Sequence, residues 1–179
     1  MSKVIKLNNV RLSFPALWTP RKFAPTDAKG SYSATFILDK KINAIEIAEI
    51  KRTIDLLVRE NLKGKHPGAT KIALHDGSEK PDVDGYGEGV MYLSARTDKA
   101  PPVIDRNMDP LVEADNKPVA GDYVRATIEL WAQDNQYGKR INAKLRGVQF
   151  YKAGTPFGEG RIDVSKEFSP IEDDDEQPI

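Results

Sequence analysis

At 179 residues with 39% apolar side chains, the chain is long enough for one domain with a real core and too short for two comfortable ones. Its formal charge is zero, but residues 172–176, Glu-Asp-Asp-Asp-Glu, hold five of the 27 acids, so residues 1–171 carry 27 basic against 22 acidic residues, a net of +5. Without cysteine there is no disulfide framework, thiolate metal site or thiol nucleophile, and no run nears the roughly 18 apolar residues of a membrane span.

The opening MSKVIKLNNVRLSF has no uninterrupted apolar stretch of signal-peptide type, so a soluble protein of a reducing cytoplasm is expected. Val4 to Phe14 predicts a strand with Val10, Leu12 and Phe14 on one face and Arg11 and Ser13 on the other. Pro15 should end it, leaving Pro15 to Gly30 as a loop with three prolines. That loop carries Trp18 and Phe23 among Arg21, Lys22 and Lys29, rings among cations of the kind that stack nucleic-acid bases, although the two rings could equally fold back as a plug on the core.

Ser31 to Leu38 alternates Tyr32, Ala34, Phe36 and Leu38 with Ser31, Ser33 and Thr35, and the small hydroxylated face leaves room for a groove. A helix follows from Asn43 to about Asn61, with Asn43 and Glu46 spaced for a capping box and Ile47, Ile50, Ile54, Leu57 and Val58 on the buried face. Lys63 to Gly89, rich in glycine, reads as an excursion with a short strand at Lys71 to Leu74. It holds His66, His75, Asp76, Asp82, Asp84 and Glu88, but their spacing matches neither a compact zinc site nor a calcium loop; turn-forming Asp-Gly pairs explain them better, and no metal or cofactor is expected. Val90 to Arg96 is a strand with Tyr92, Ser94 and Arg96 on its polar face, and a short strand at Val103 to Asp105 lies in the proline-rich segment after it.

Gly121 to Tyr151 reads as a long β-hairpin turning at Asp134 to Gly138. Val124, Ala126, Ile128, Leu130 and Ala132 should face the core with Ile141, Ala143 and Leu145, and the apolar phase shifts after Gly147, which predicts a β-bulge there. The outer face then combines Tyr123 and Trp131 with Arg125, Arg140, Lys144 and Arg146. Rings among phosphate-binding cations are what a holder of single-stranded nucleic acid needs. The plainer account is that exposed strands carry Lys and Arg for solubility and to discourage edge pairing.

The inventory predicts a mainly β fold: a five-stranded OB-like antiparallel barrel, one helix inserted between the second and third strands, and a long C-terminal hairpin. Residues 1–168 form the expected domain and 169–179 a disordered acidic tail. On the alternation argument the stacking candidates are Trp131, Tyr123, Tyr137, Trp18, Phe23 and Tyr92, and the phosphate candidates are Arg125, Arg140, Lys144, Arg146, Arg21, Lys22 and Arg96.

VRLSFPALWTPRKF followed by YSATFILDK, the Leu-His-Asp-Gly turn at 74–77, GDYVRATIELW and AKLRGVQF together resemble a family of phage-encoded single-stranded DNA-binding proteins with an OB-fold, over residues 4–168. The resemblance implies a non-enzymatic protein that coats and protects exposed strands during phage replication, recombination or repair. It also implies an acidic tail, here Glu172, Asp173, Asp174, Asp175 and Glu176 with the apolar tip Ile179, that occupies the DNA site when empty and docks replication or recombination proteins when it is full. Bacterial proteins of this kind usually end in an aromatic residue, and Ile179 departs from that pattern. Self-association stays open. The competing readings are a metal-assisted hydrolase using His75 with Asp76 or with Asp82 and Asp84, and a virion structural or adaptor protein.

Overall fold

The computed structural model describes residues 2–22, 24–26, 29–157 and 167–171. Among them are strands β1 (Ser2–Arg21), β2 (Ser31–Asp39), β3 (Leu74–Asp76), β4 (Val90–Thr97), β5 (Val103–Ile104), β6 (Tyr123–Asn135) and β7 (Gly138–Lys152), with one helix, α1 (Ala44–Asn61). β1 pairs antiparallel with both β2 and β6, β2 with β4, and β6 with β7; a parallel contact, Arg96 opposite Lys144, joins β4 to β7 and closes the ring. The result is the expected mainly β, five-stranded OB-like barrel, with α1 between its second and third strands. β3 adds to the edge of β4, and β5 runs beside β7.

Alternation fills the barrel. Ile5, Leu7, Val10, Leu12, Ala34, Phe36, Leu38, Leu93, Val124, Ile128, Leu130, Ile141 and Leu145 are all buried. Ile47, Ile50, Ile54, Leu57 and Val58 of α1 cover the side of the core next to β1 and β6. The capping box does not form as predicted. The buried Asn43 side chain donates to the Asn8 carbonyl at 2.8 Å and to Glu46 Oε2 at 2.7 Å, and accepts from the Asp39 amide at 2.9 Å. A bulge in β1 between Leu7 and Val10, with Asn9 at φ 51°, brings the Asn8 carbonyl to this bond, and the cap side chain ties helix to barrel instead of closing the first turn.

Pro15 does not end β1. Between Ser13 and Ala16 the strand advances three residues while β2 advances two, from Thr35 to Ser33, so the missing proline N–H falls in a bulge and costs no ladder bond. The strand then continues to Arg21 opposite Ser31, so the predicted loop is strand from Pro15 to Arg21. The bulge also overturns the predicted facing of Phe14. Its φ of 44° is a left-handed conformation costing a Cβ-bearing residue about 1–2 kcal/mol, and it turns the ring out of the core while Ser13 is buried. In the hairpin, Thr127 pairs with Gly147 and Ile128 with Leu145, leaving Arg146 as the extra residue of the bulge expected at Gly147. The short strand of the excursion forms at Leu74–Asp76, three residues later than predicted.

After β7 the chain doubles back as a strap. The Gly154 amide donates to Asp122 Oδ1 at 3.2 Å, Arg11 Nη2 donates to the Thr155 carbonyl, and the Arg11 guanidinium lies 4.1 Å from the Phe157 ring centroid. Phe157 covers Gly85, where a methyl group would overlap the ring. The strap thus anchors the 77–89 excursion from outside.

Candidate nucleic-acid interface

The groove left open by the small residues of β2 runs across the strands on the outside of the barrel, with a cavity volume of about 600 Å³. Its floor is the row Ser33, Thr35, Ser94 and Arg96, continued through Lys144 and Asn142 of β7 to Trp131 and Gln133 of β6. Phe14 and Arg21 of β1 stand at the other end, and Thr70, Ala73 and His75 form one bank. Charge follows from this lining: Arg21, Arg96, Arg140 and Lys144 against Asp98, four cations to one carboxylate, a net of +3 among the described lining residues. Trp131 is 39% exposed, a large ring half presented to the groove.

Register explains why these residues meet. Opposite partners on adjacent strands lie on the same face, so Ser33–Arg96, Arg96–Lys144 and Asn142–Trp131 form a strip across four strands although they are distant in sequence. Several polar groups in the strip hold one another: Thr35 Oγ1 and Ser94 Oγ are 3.0 Å apart, and Asn142 Nδ2 donates to Gln133 Oε1 at 3.0 Å.

The structure divides the predicted site residues. Trp131, Arg140, Lys144, Arg21 and Arg96 converge on the groove, and Lys22 lies exposed just past the end of β1. Tyr137 is at the hairpin tip and is 78% exposed. Trp18 is half-buried against the core, closer to the plug reading. Tyr123 lies elsewhere, its ring flanked by Lys152 at 5.1 Å and Arg11 at 6.0 Å. Arg125 lines a separate, smaller apolar hollow with Ile104, Met108 and Val148. Arg146 pairs with Glu129 at 3.1 Å, and a hydrogen bond from Ser2, reinforced by Arg146, holds the Glu129 carboxyl below its ordinary value. The single outer face read from alternation is therefore two surfaces, because the bulge at Gly147 and the barrel's curvature turn the Tyr123–Arg125 end away from the Trp131 end. Phe23, Glu172, Asp173, Asp174, Asp175, Glu176 and Ile179 lie outside the described residues.

Tyr92 is on the outer face as predicted but only 6% exposed, because the excursion folds over it. His75 stacks on its ring at 5.0 Å, Tyr86 meets it edge-on at 5.1 Å, and its hydroxyl donates to Glu79 Oε2 at 3.3 Å. Burial, then the Glu79 charge, push the Tyr92 phenol up to about 12. Tyr86 donates to Ser13 Oγ at 2.9 Å, and burial raises its phenol as well. Two of the residues offered as hydrolytic ligands, His75 and Asp76, are engaged structurally. His75 Nδ1 lies 3.2 Å from Glu79, and Asp76 accepts from Lys40 Nζ at 2.9 Å, which with the Ser78 amide lowers its carboxyl to about 2. Among the described residues no three His, Asp or Glu side chains are grouped to hold a metal.

Sequence reasoning missed Phe14, Gln133 and the bank at 70–75. The β1 bulge that turns Phe14 outward and the strand pairing that brings Gln133 and the bank to the groove are not visible in local alternation.

The family profile described as "Enterobacter phage Enc34, ssDNA-binding protein" matches residues 3–178. The chain belongs to that family. The family resemblance seen in the sequence is thereby established over nearly the whole chain. A curated relative, "Putative protein p50" of Acyrthosiphon pisum secondary endosymbiont phage 1, is 38% identical over 98% of this chain and 97% of its own. Among solved structures, the single-stranded DNA-binding protein of bacteriophage Enc34 in complex with ssDNA superposes with a TM-score of 0.78 at 30% identity, covering 87% of this chain and 89% of that one. The same phage protein in a further structure gives 0.74 at 31% identity, over 93% and 90%. The gp2.5 single-stranded DNA-binding protein of bacteriophage T7, at 13% identity and a TM-score of 0.54, shares the fold.

Proposed function

We propose that this protein binds single-stranded DNA without sequence preference, holding the strand in the groove across β2, β4 and β7. The observation that carries the reading is the coincidence of a net +3 lining with the half-exposed ring of Trp131 in one groove. Arg21, Arg96, Arg140 and Lys144 neutralise phosphates and release counterions, and Trp131 stacks a base. The second and third strands of an OB barrel and its adjoining loops are a recurring oligonucleotide surface, and the groove lies there. The family relationship to a protein solved with ssDNA supports the same ligand. Tyr137 and Lys22 extend the contact at the hairpin tip and past β1; Tyr123, Arg125 and Arg146 lie off this path.

The role that follows is a non-enzymatic coat for exposed strands during phage replication, recombination or repair in the host cytoplasm. The folded unit is residues 1–168, and 169–179 form a tail whose acidic string competes for the basic groove and recruits partners. The strap supports that competition: it brings the chain to Phe157 against the excursion, fifteen residues before Glu172, a reach of up to roughly 50 Å when extended. Truncation before Glu172 should tighten single-strand binding, most strongly at low salt; equal affinity with and without the tail would remove this part of the proposal.

The direct test is tryptophan fluorescence during titration with a single-stranded homopolymer, at low and high salt and against matched duplex. Quenching by single strands that weakens with salt and is poor with duplex is the expected result. Absence of a complex by a second probe would discard the nucleic-acid reading.

A further inference from the structure

We infer that Phe14 is a second base-stacking platform, at the opposite end of the groove from Trp131; this rests on the single-stranded DNA reading of the groove and extends it to a residue that alternation assigns to the core. Two linked features of the fold single out Phe14. Its φ of 44° lies in the left-handed region, where a bulky side chain is a genuine outlier and glycine or asparagine is the usual occupant. The β1 bulge that imposes this conformation also sends the ring outward, leaving it 51% exposed and lining the cationic groove. Folding alone would favour neither feature, because the backbone is strained and the ring forgoes burial beside Leu12 and Leu17.

Its remaining neighbours suit a stacked base. The Tyr86 ring, held by its bond to Ser13, lies tilted at 6.4 Å between centroids and braces Phe14 from one side. Lys80 Nζ, exposed, lies 6.0 Å from the Phe14 centroid, 5.6 Å from that of Tyr86 and 5.0 Å from that of Tyr92, a cation shared by the ring cluster beside Phe14. From Phe14 on β1 to Trp131 on β6 the strip crosses β2, β4 and β7. Four inter-strand steps of 4.7–4.9 Å make an arc of roughly 19 Å. A strand lying along it meets a ring at each end and the cations between them.

The test compares oligothymidylate with an abasic deoxyribose-phosphate oligomer of equal length, using the full chain and the variants Phe14→Leu, Phe14→Tyr and Phe14→Gly. Phe14→Leu should weaken oligothymidylate binding about 5- to 150-fold, leave abasic binding and the salt slope unchanged, and Phe14→Tyr should stay close to the parent. Phe14→Gly should bind as poorly as Phe14→Leu yet melt at the same or a higher temperature, since it relieves the backbone. Binding by Phe14→Leu within twofold of the parent, or an equal loss on the abasic oligomer, would overturn the assignment while leaving the single-strand reading intact. Failure of the parent chain to bind oligothymidylate would overturn both.

Discussion

Replacing Arg140 and Lys144 together by glutamine removes two of the four cations that line the groove. Each neutralised phosphate on a single strand contributes about −0.7 to the slope of log affinity against log salt, so four contacts give a slope near −2.8 and two give about −1.4. Between 50 and 200 mM salt the parent should therefore lose roughly 50-fold in affinity and the double variant roughly 7-fold. Both side chains are exposed and on the strand face away from the core, so the melting temperature should barely move. Fluorescence anisotropy of a labelled oligonucleotide at five or six salt concentrations gives both slopes. An unchanged slope in the double variant would refute the assignment of these cations to phosphates, and a slope that falls equally for duplex would refute the preference for single strands.

Trp131→Ala should cost about 1–3 kcal/mol of single-strand affinity and abolish most of the fluorescence quenching, whereas Trp18→Phe, altering a ring packed on the core, should preserve the quenching. Gly121→Ala places a Cβ at φ 98° against the Thr155 carbonyl of the strap; a cost of about 1–3 kcal/mol should lower the melting temperature by roughly 2–12 °C, read by calorimetry. Asp76, held at about 2 by Lys40 and the Ser78 amide, has a folded-state pKa below its unfolded value of about 4, so its contribution is present above pH 4 and fades as pH falls toward 2. Asp76→Asn should therefore melt below the parent at neutral pH, by a small margin because the pair is partly exposed, and the two melting curves should converge near pH 2.

Much of the barrel could be read in the sequence because each strand carries its own alternation. Val124 to Ala132, Ile141 to Leu145 and Ala34 to Leu38 meet the core side without help from any neighbour, and even the bulge at Gly147 announced itself as a change of phase. The long reach of β1 did not, because Pro15 is a breaker by every local rule and is accommodated only by a bulge that depends on β2. The site was legible to the same extent. Trp131, Arg140 and Lys144 sit within one hairpin whose register its turn fixes, and they were found together. Arg125 and Tyr123 belong to the same alternating face but are carried round the barrel wall by the bulge, and Tyr92 is roofed by an excursion whose fold rests on Tyr86, Gly85 and the returning strap.

The geometry of the strip also bears on why a groove built this way would accept any base. Base discrimination needs hydrogen-bonding groups held free and aimed at base edges, because a site that hydrogen-bonds one edge rejects those that leave it unpaired. Here the Thr35 and Ser94 hydroxyls bond to each other and Asn142 bonds to Gln133, so much of the floor's polar capacity is directed within the strip. The groups that remain presented are rings and cations, Phe14 and Trp131 at the ends with Arg140 and Lys144 along the way. Every base has a π-face and every nucleotide a phosphate, so affinity drawn from these two sources is nearly blind to sequence. Breaking the Asn142–Gln133 pair by Gln133→Ala frees the Asn142 amide, and this variant should gain a measurable preference among homopolymers where the parent shows little beyond the ordinary ranking of stacking strength.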